Sequence, residues 1–105
     1  MIRHCVFIRF EPTTSATEKA SIYADVAALK TSVPGFLACH IGANVSPEAG
    51  MDKGYADGFI VDFDGTTSRD AYLVHPGHQA VAGRIVGAAQ GGVDGIFVYD
   101  IEIVD

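Results

Sequence analysis

Over residues 2–10 the apolar and polar positions place apolar side chains on both faces of an extended chain. One face carries His4, Val6, Ile8 and Phe10, the other Arg3, Cys5, Phe7 and Arg9, and the density of β-branched and aromatic residues predicts a strand. A strand that is apolar on both sides must be covered on both. The period then becomes helical. Ile22, Val26, Leu29 and Val33 recur at spacings of four, three and four, which predicts a helix over 16–32. Ser15 and Glu18 stand at capping-box spacing at its start, and Pro34-Gly35 stops it. Residues 36–45 predict a second, less regular strand, in which Gly42 implies a bulge or a close approach. A polar, glycine-bearing loop is expected over 46–55.

A third strand is predicted over 56–64, with Asp57, Phe59, Val61 and Phe63 on one face and Ile60 and Asp62 on the other. Thr66 or Thr67 is expected to cap a short helix that runs to Val74. Pro76 disfavours helical geometry at His75 and is itself suited to a first helical turn, so a corner is predicted there, followed by a second helix over 77–90. That helix is rich in alanine and glycine, ends at Gly91-Gly92, and leads to a last strand over 95–104 with Phe97, Val98, Tyr99, Ile101 and Ile103. The order β, α, β, β, α, α, β is an α+β, ferredoxin-like arrangement. It predicts a four-stranded antiparallel sheet with helices on one face. The other apolar face is left for a second copy of the chain, which predicts a homodimer.

Composition narrows the classes of function. With 105 residues, 49% hydrophobic and 19% charged, the chain is expected to form one domain over 1–105. A net charge of −6 and seven basic residues without a cluster argue against nucleic acid as a partner. No stretch is long enough to span a bilayer and no secretory signal opens the chain, so a soluble, cytoplasmic protein with no membrane partner is expected. Cys5 and Cys39 lack CxxC spacing and fall in predicted strands, where free buried thiols are the ordinary reading. Gly91-Gly92 ends a helix and has no following lysine, so it is no phosphate loop, and no cofactor is expected.

The candidate chemistry lies in Tyr72-Leu73-Val74-His75-Pro76-Gly77-His78. The stretch brings a phenol and two imidazoles to a corner, and imidazole is the side chain best suited to moving protons near neutral pH. That makes the stretch a site candidate. If the His4, Val6 and Ile8 face of the first strand meets the helices, these residues, with Asp57 and Phe59 of the third strand and His75 of the corner, would line a pocket for a small hydrophobic ligand. The plain alternative makes Tyr72 a core aromatic and His75 and His78 caps of a helix end. A metal site from His75 and His78 with His4 or Asp57 is disfavoured because Pro76 breaks the turn that would bring the imidazoles together, and no metal is expected. Neither an activated cysteine nor a Gly-x-Ser-x-Gly elbow supports nucleophilic catalysis.

Ile2-Arg3-His4, Gly54-Tyr55 and Tyr72-x-x-His75-Pro76-x-His78, taken with the element order, resemble the stress-responsive dimeric α+β barrel (Dabb) family over essentially the whole chain. The resemblance implies that two ferredoxin-like subunits bring their sheets together into a dimeric α+β barrel. The family includes plant polyketide cyclases, in which the tyrosine and second histidine of this motif do acid and base work, stress-associated proteins without established chemistry, and many uncharacterised bacterial members. By that resemblance Tyr72 and His78 are the acid/base pair of a polyketide-cyclase-like or lyase-like enzyme, and His4 lines the pocket. The cyclase branch carries a histidine where this chain has Asp57, and a helix-1 tyrosine near the position of Val26.

Overall fold

The two-faced segment that opens the chain becomes the strand β1 (Ile2–Ile8), and it lies inside the sheet rather than at its edge. The structure, a computed structural model, describes residues 1–104. After β1 come α1 (Ala16–Ala28), prolonged by a 3-10 turn at Leu29–Thr31, then β2 (Phe36–Ala43), β3 (Asp57–Phe63), α2 (Thr66–Val74), α3 (Pro76–Ala88), a 3-10 turn at Gly92–Gly95, and β4 (Ile96–Glu102). The strands pair in the order β2-β3-β1-β4, antiparallel throughout. This is the ferredoxin-like four-stranded sheet that the element order predicts, with three α-helices.

Register decides which side chains share a face. His4, Val6 and Ile8 pair with Val61, Phe59 and Asp57 on one side and with Asp100, Val98 and Ile96 on the other. Val6, Ile8, Phe59, Val61 and Phe63 are buried against Ile22, Val26 and Leu29 of α1 and its 3-10 extension, Tyr72 of α2, and Val81 and Ile85 of α3. Alternation by two along each strand meets alternation by three and four along each helix, and one core results. At the start of α1 the Ser15 side chain accepts from the Glu18 amide at 3.1 Å, as the capping spacing predicts. Among the described residues no helix is long and apolar enough to cross a membrane.

Two local expectations are corrected. The N-cap of α2 is Gly65, because Thr66 is already helical. The residue that ties down this first turn is the buried Ser68, whose hydroxyl donates to the Gly65 carbonyl at 3.0 Å and to the Asp64 carboxylate. The second correction concerns glycine. A Cβ at Gly42 would meet nothing within 4 Å, and the irregularity of β2 lies between Phe36 and Ala38. The close approach is at Gly58, paired with Phe7, where a Cβ would come within 2.6 Å of the Val6 carbonyl oxygen and 2.7 Å of the Phe7 ring.

The face away from the helices is open. Phe97, Tyr99 and Ile101 are 47%, 55% and 44% exposed there, beside the half-buried Phe7 and Ile60. Asp62 is buried on this face by Arg3, which donates to it from Nε at 2.8 Å and Nη2 at 3.2 Å, and by His40 at 3.0 Å. These hydrogen bonds, Arg3's first, hold the Asp62 carboxyl below its ordinary range.

Gly58→Ala is expected to destabilise the protein by about 1–3 kcal/mol through overpacking. Gly42→Ala is expected to be neutral or stabilising by about 0.5 kcal/mol, since alanine loses less backbone freedom on folding. Urea unfolding of the two variants checks the pair; equal effects would contradict the register described here.

Candidate functional site

The corner forms because the chain cannot continue as one helix. His75 adopts an extended conformation, φ −66° and ψ 134°, and is at once the C-cap of α2 and the N-cap of α3, with Pro76 as the first residue of α3. Its Nδ1 accepts the Gly77 amide at 2.9 Å. Gly77 lies so close to α1 that a Cβ there would come within 2.6 Å of the Leu29 side chain. The corner is therefore packed closely on the Leu29 side chain at the end of α1, which would have to shift to admit a larger residue at 77.

Tyr72 enters from the end of α2 and His78 from the first turn of α3, with ring centroids 4.4 Å apart. His78 Nδ1 lies 3.0 Å from the Leu73 carbonyl oxygen. A carbonyl only accepts, so this nitrogen carries the proton, and in the neutral ring Nε2 keeps its lone pair. His4 reaches the same place from β1, its ring 5.8 Å from that of Tyr72. Its Nδ1 stands 2.6 Å from Asp100 Oδ1, and Arg69 Nη1 donates to the other oxygen of Asp100 at 2.6 Å. Three aromatic rings from three elements thus converge, with an ion pair behind one of them. Among the described residues no protein group bonds the Tyr72 hydroxyl, and the hydrogen bonds of the His4 and His78 rings use Nδ1 alone.

These rings line a cavity of about 210 Å³ with Val6, Phe59, Leu73, Val81, Ala82, Ile85, Val86, Ile96 and Val98. Apart from the converging rings its wall is aliphatic and aromatic. Burial acts on Tyr72 and His78 alike. It pushes the Tyr72 phenol well above its ordinary value, and it lowers His78, with the Leu73 carbonyl partly opposing and the neighbouring imidazoles His4 and His75 adding slightly. At neutral pH the pair is a protonated phenol beside an unprotonated imidazole, the states required of a proton donor and a proton acceptor.

Of the residues singled out from the sequence, His4, Val6, Phe59, Tyr72 and His78 meet at this cavity. Ile8, Asp57 and His75 do not. Ile8 is fully buried in the core, Asp57 accepts from Lys19 Nζ at 3.1 Å, and His75 is spent as a cap. Asp100 and Arg69 escaped the sequence reading, as did the wall contributed by α3 and β4. A trace of each was present. Arg69 stands three residues before Tyr72 and so shares its helix face, and Asp100 is an acid flanked by apolar residues, Tyr99 and Ile101, within a strand.

A larger concavity of about 770 Å³ lies on the open face of the sheet, between Phe7, His40, Ile60 and Phe97 and the loop residues Met51 and Tyr55. It is a groove over an uncovered sheet. The smaller cavity, where polar groups converge within apolar walls, has the make-up of a ligand site.

A family model described as the stress responsive A/B barrel domain (Dabb) matches residues 2–103. Among solved structures, a dimeric ferredoxin-like protein of unknown function from Jannaschia sp. CCS1 is similar at 30% identity and a TM-score of 0.89, covering 97% of this chain and 98% of that one. An Arabidopsis thaliana protein is similar at 23% identity and a TM-score of 0.87, covering 100% and 97%. A hydroxynitrile lyase from Passiflora edulis is similar at 20% identity and a TM-score of 0.83, covering 99% and 94%. The last two likenesses establish a shared fold. No curated protein matches the sequence.

Because His78 is lowered in the folded state, its protonation opposes folding. The stability it contributes is complete above about 6.5, the unfolded value, and is lost as pH falls from there through the folded value. Removing the group should flatten this part of the profile. Urea midpoints of wild type and His78→Gln measured from neutral pH down to about pH 5 are expected to converge as pH falls, and parallel curves would contradict the assignment.

Proposed function

The chain belongs to the stress responsive A/B barrel domain family, and on that premise we propose that it binds a small, largely apolar molecule bearing a hydroxyl or carbonyl group in the cavity between sheet and corner. The observation that carries this reading is the convergence of His4, Tyr72 and His78, with ring centroids 4.4 and 5.8 Å from Tyr72, inside an aliphatic wall. The volume of about 210 Å³ is below the roughly 300–1,000 Å³ usual for drug-sized ligands, so a compact ligand of phenol or short β-keto acid size is favoured.

Acid–base turnover of such a molecule is the second reading. It is favoured by the opposite demands that burial meets at the corner, a phenol kept protonated and an imidazole kept unprotonated. Tyr72 would then hold or protonate a substrate oxygen while His78 takes a proton from carbon or oxygen, as a cyclase-like or lyase-like reaction requires.

The working unit on this reading is a homodimer. Its support is the exposed apolar face of β4 with Phe7 and Ile60, and the dimeric state of the similar Jannaschia protein. A second copy laid on that face would close the sheet as the family's barrel name implies.

Two measurements test these statements. In a thermal-shift screen against phenols, β-keto acids and short polyketide mimics, at least one probe is expected to stabilise wild type. Tyr72→Phe removes only an oxygen without a protein partner, so it should melt within a few degrees of wild type and bind that probe about five- to tenfold more weakly. If no probe shifts wild type, and His78→Ala alone melts lower, the three rings are a structural cluster and the ligand reading fails. For the assembly, sedimentation is expected to give a dimer for wild type and a monomer for Phe97→Glu, because a carboxylate at the centre of an apolar interface costs several kcal/mol, on the order of 3–5.

A further inference from the structure

We propose that Arg69 and Asp100 are positioning residues, a two-link clamp that fixes His4 in its Nδ1–H form and leaves Nε2 as the ring nitrogen offered to the cavity. Its use to a ligand rests on the cavity being the binding site; the clamp itself is read from the hydrogen bonds. His4 Nδ1 and Arg69 Nη1 each lie 2.6 Å from a different oxygen of the same carboxylate. A carboxylate bound to a guanidinium has acceptors only, so Nδ1 must carry a proton, and in the neutral ring Nε2 is an acceptor. The ring is buried and packs in T-shaped contact with Phe63 and Tyr72. Its proton position is therefore set by what Asp100 can accept. A ligand meeting this nitrogen must supply the hydrogen, as a phenol or enol hydroxyl does, while the Tyr72 hydroxyl remains free to donate to an oxygen. The logic is that of an acid–histidine pair, in which changing the acid to its amide leaves the fold intact and the imidazole in the wrong tautomer.

Arg69 adds a prediction that the acid alone would not give. In Asp100→Asn the amide has one accepting and one donating end. Arg69 only donates, so it captures the oxygen and turns the NH2 group toward His4. Nδ1 must then accept, and the proton moves to Nε2. Removing Arg69 as well, in the double variant Arg69→Met/Asp100→Asn, frees the amide to turn its oxygen to His4, and the original tautomer returns. Arg69→Met alone leaves the Asp100 carboxylate in place and keeps the Nδ1–H form. Loss of a cation thus repairs the damage of the amide, which a merely structural salt bridge would not do.

The experiment is nitrogen-15 NMR of the neutral His4 ring at alkaline pH on full-length protein. Wild type and Arg69→Met are expected to show a protonated Nδ1 and a bare Nε2, Asp100→Asn the reverse, and the double variant the wild-type pattern. A bare Nδ1 in wild type overturns the proposal without recourse to any variant. So does a double variant that folds, as judged by its melting transition, and keeps the Asp100→Asn pattern. Phenol titrations run beside the NMR separate the two readings. About tenfold weaker binding in Asp100→Asn, regained in the double variant, supports the clamp and the ligand site together. If the nitrogens behave as expected and phenol binds none of the proteins, the clamp stands and phenols are removed from the ligand reading.

Discussion

Pro76 has no amide hydrogen, and its ring drives the residue before it out of helical geometry, so the second crossover of this fold cannot be a single helix. The cost of such a break is a set of backbone groups left without partners at two helix ends. Here the imidazoles meet part of that cost. His75 accepts the Gly77 amide at the start of α3, and His78 reaches back to the Leu73 carbonyl at the end of α2. Gly77 then lets the whole corner rest on Leu29. One backbone constraint thus orients the two histidines differently, directs Tyr72 into the core, and leaves an apolar hollow between α3 and β1.

The sheet handles buried charge by the same device on both of its faces. Arg3 and His4 are neighbours in β1 and point to opposite sides. On the open side Asp62 lies between Arg3 and His40, and on the helix side Asp100 lies between His4 and Arg69. A carboxylate in an apolar sheet is tolerable only when it is hydrogen-bonded and offset by opposite charge, and a guanidinium with an imidazole supplies both. The two sets differ in where the histidine sits. The His40 side chain is 56% exposed on the open face, whereas that of His4 is 4% exposed beside the cavity. The first set therefore stabilises a surface, and the second sets the hydrogen-bonding character of a cavity wall.

Element order, strand faces, the corner at His75 and membership of the family were legible because each rests on local rules of period, capping and proline geometry, or on a short motif. What escaped depended on register. Asp57 and Phe59 share a strand face, yet two residues along a strand are far enough apart for Asp57 to meet Lys19 instead of the cavity. Gly42 and Gly58 look alike in sequence and are paired across β2 and β3, but only Gly58 lies under the Phe7 ring. Asp100 could be assigned to His4 only once β4 was known to lie antiparallel to β1 in this register. Pairing across 96 residues of sequence is information that no local pattern carries.

Desolvation moves Tyr72 and His78 in opposite directions on the pH scale but toward the same outcome, the uncharged form of each. With Arg69 offsetting Asp100, the charges nearest the cavity sum to zero when the His4 ring is neutral. Such a hollow favours a neutral guest, and it penalises any charge the guest acquires unless a donor is already aimed at it. On the proposed reading the Tyr72 hydroxyl, which has no protein partner among the described residues, is that donor, and the unprotonated His78 beside it is the group able to take up the proton released. On that reading, the burial that shifts these two rings is also what holds them in complementary protonation states, so binding of an apolar molecule and readiness for proton transfer arise from one physical cause.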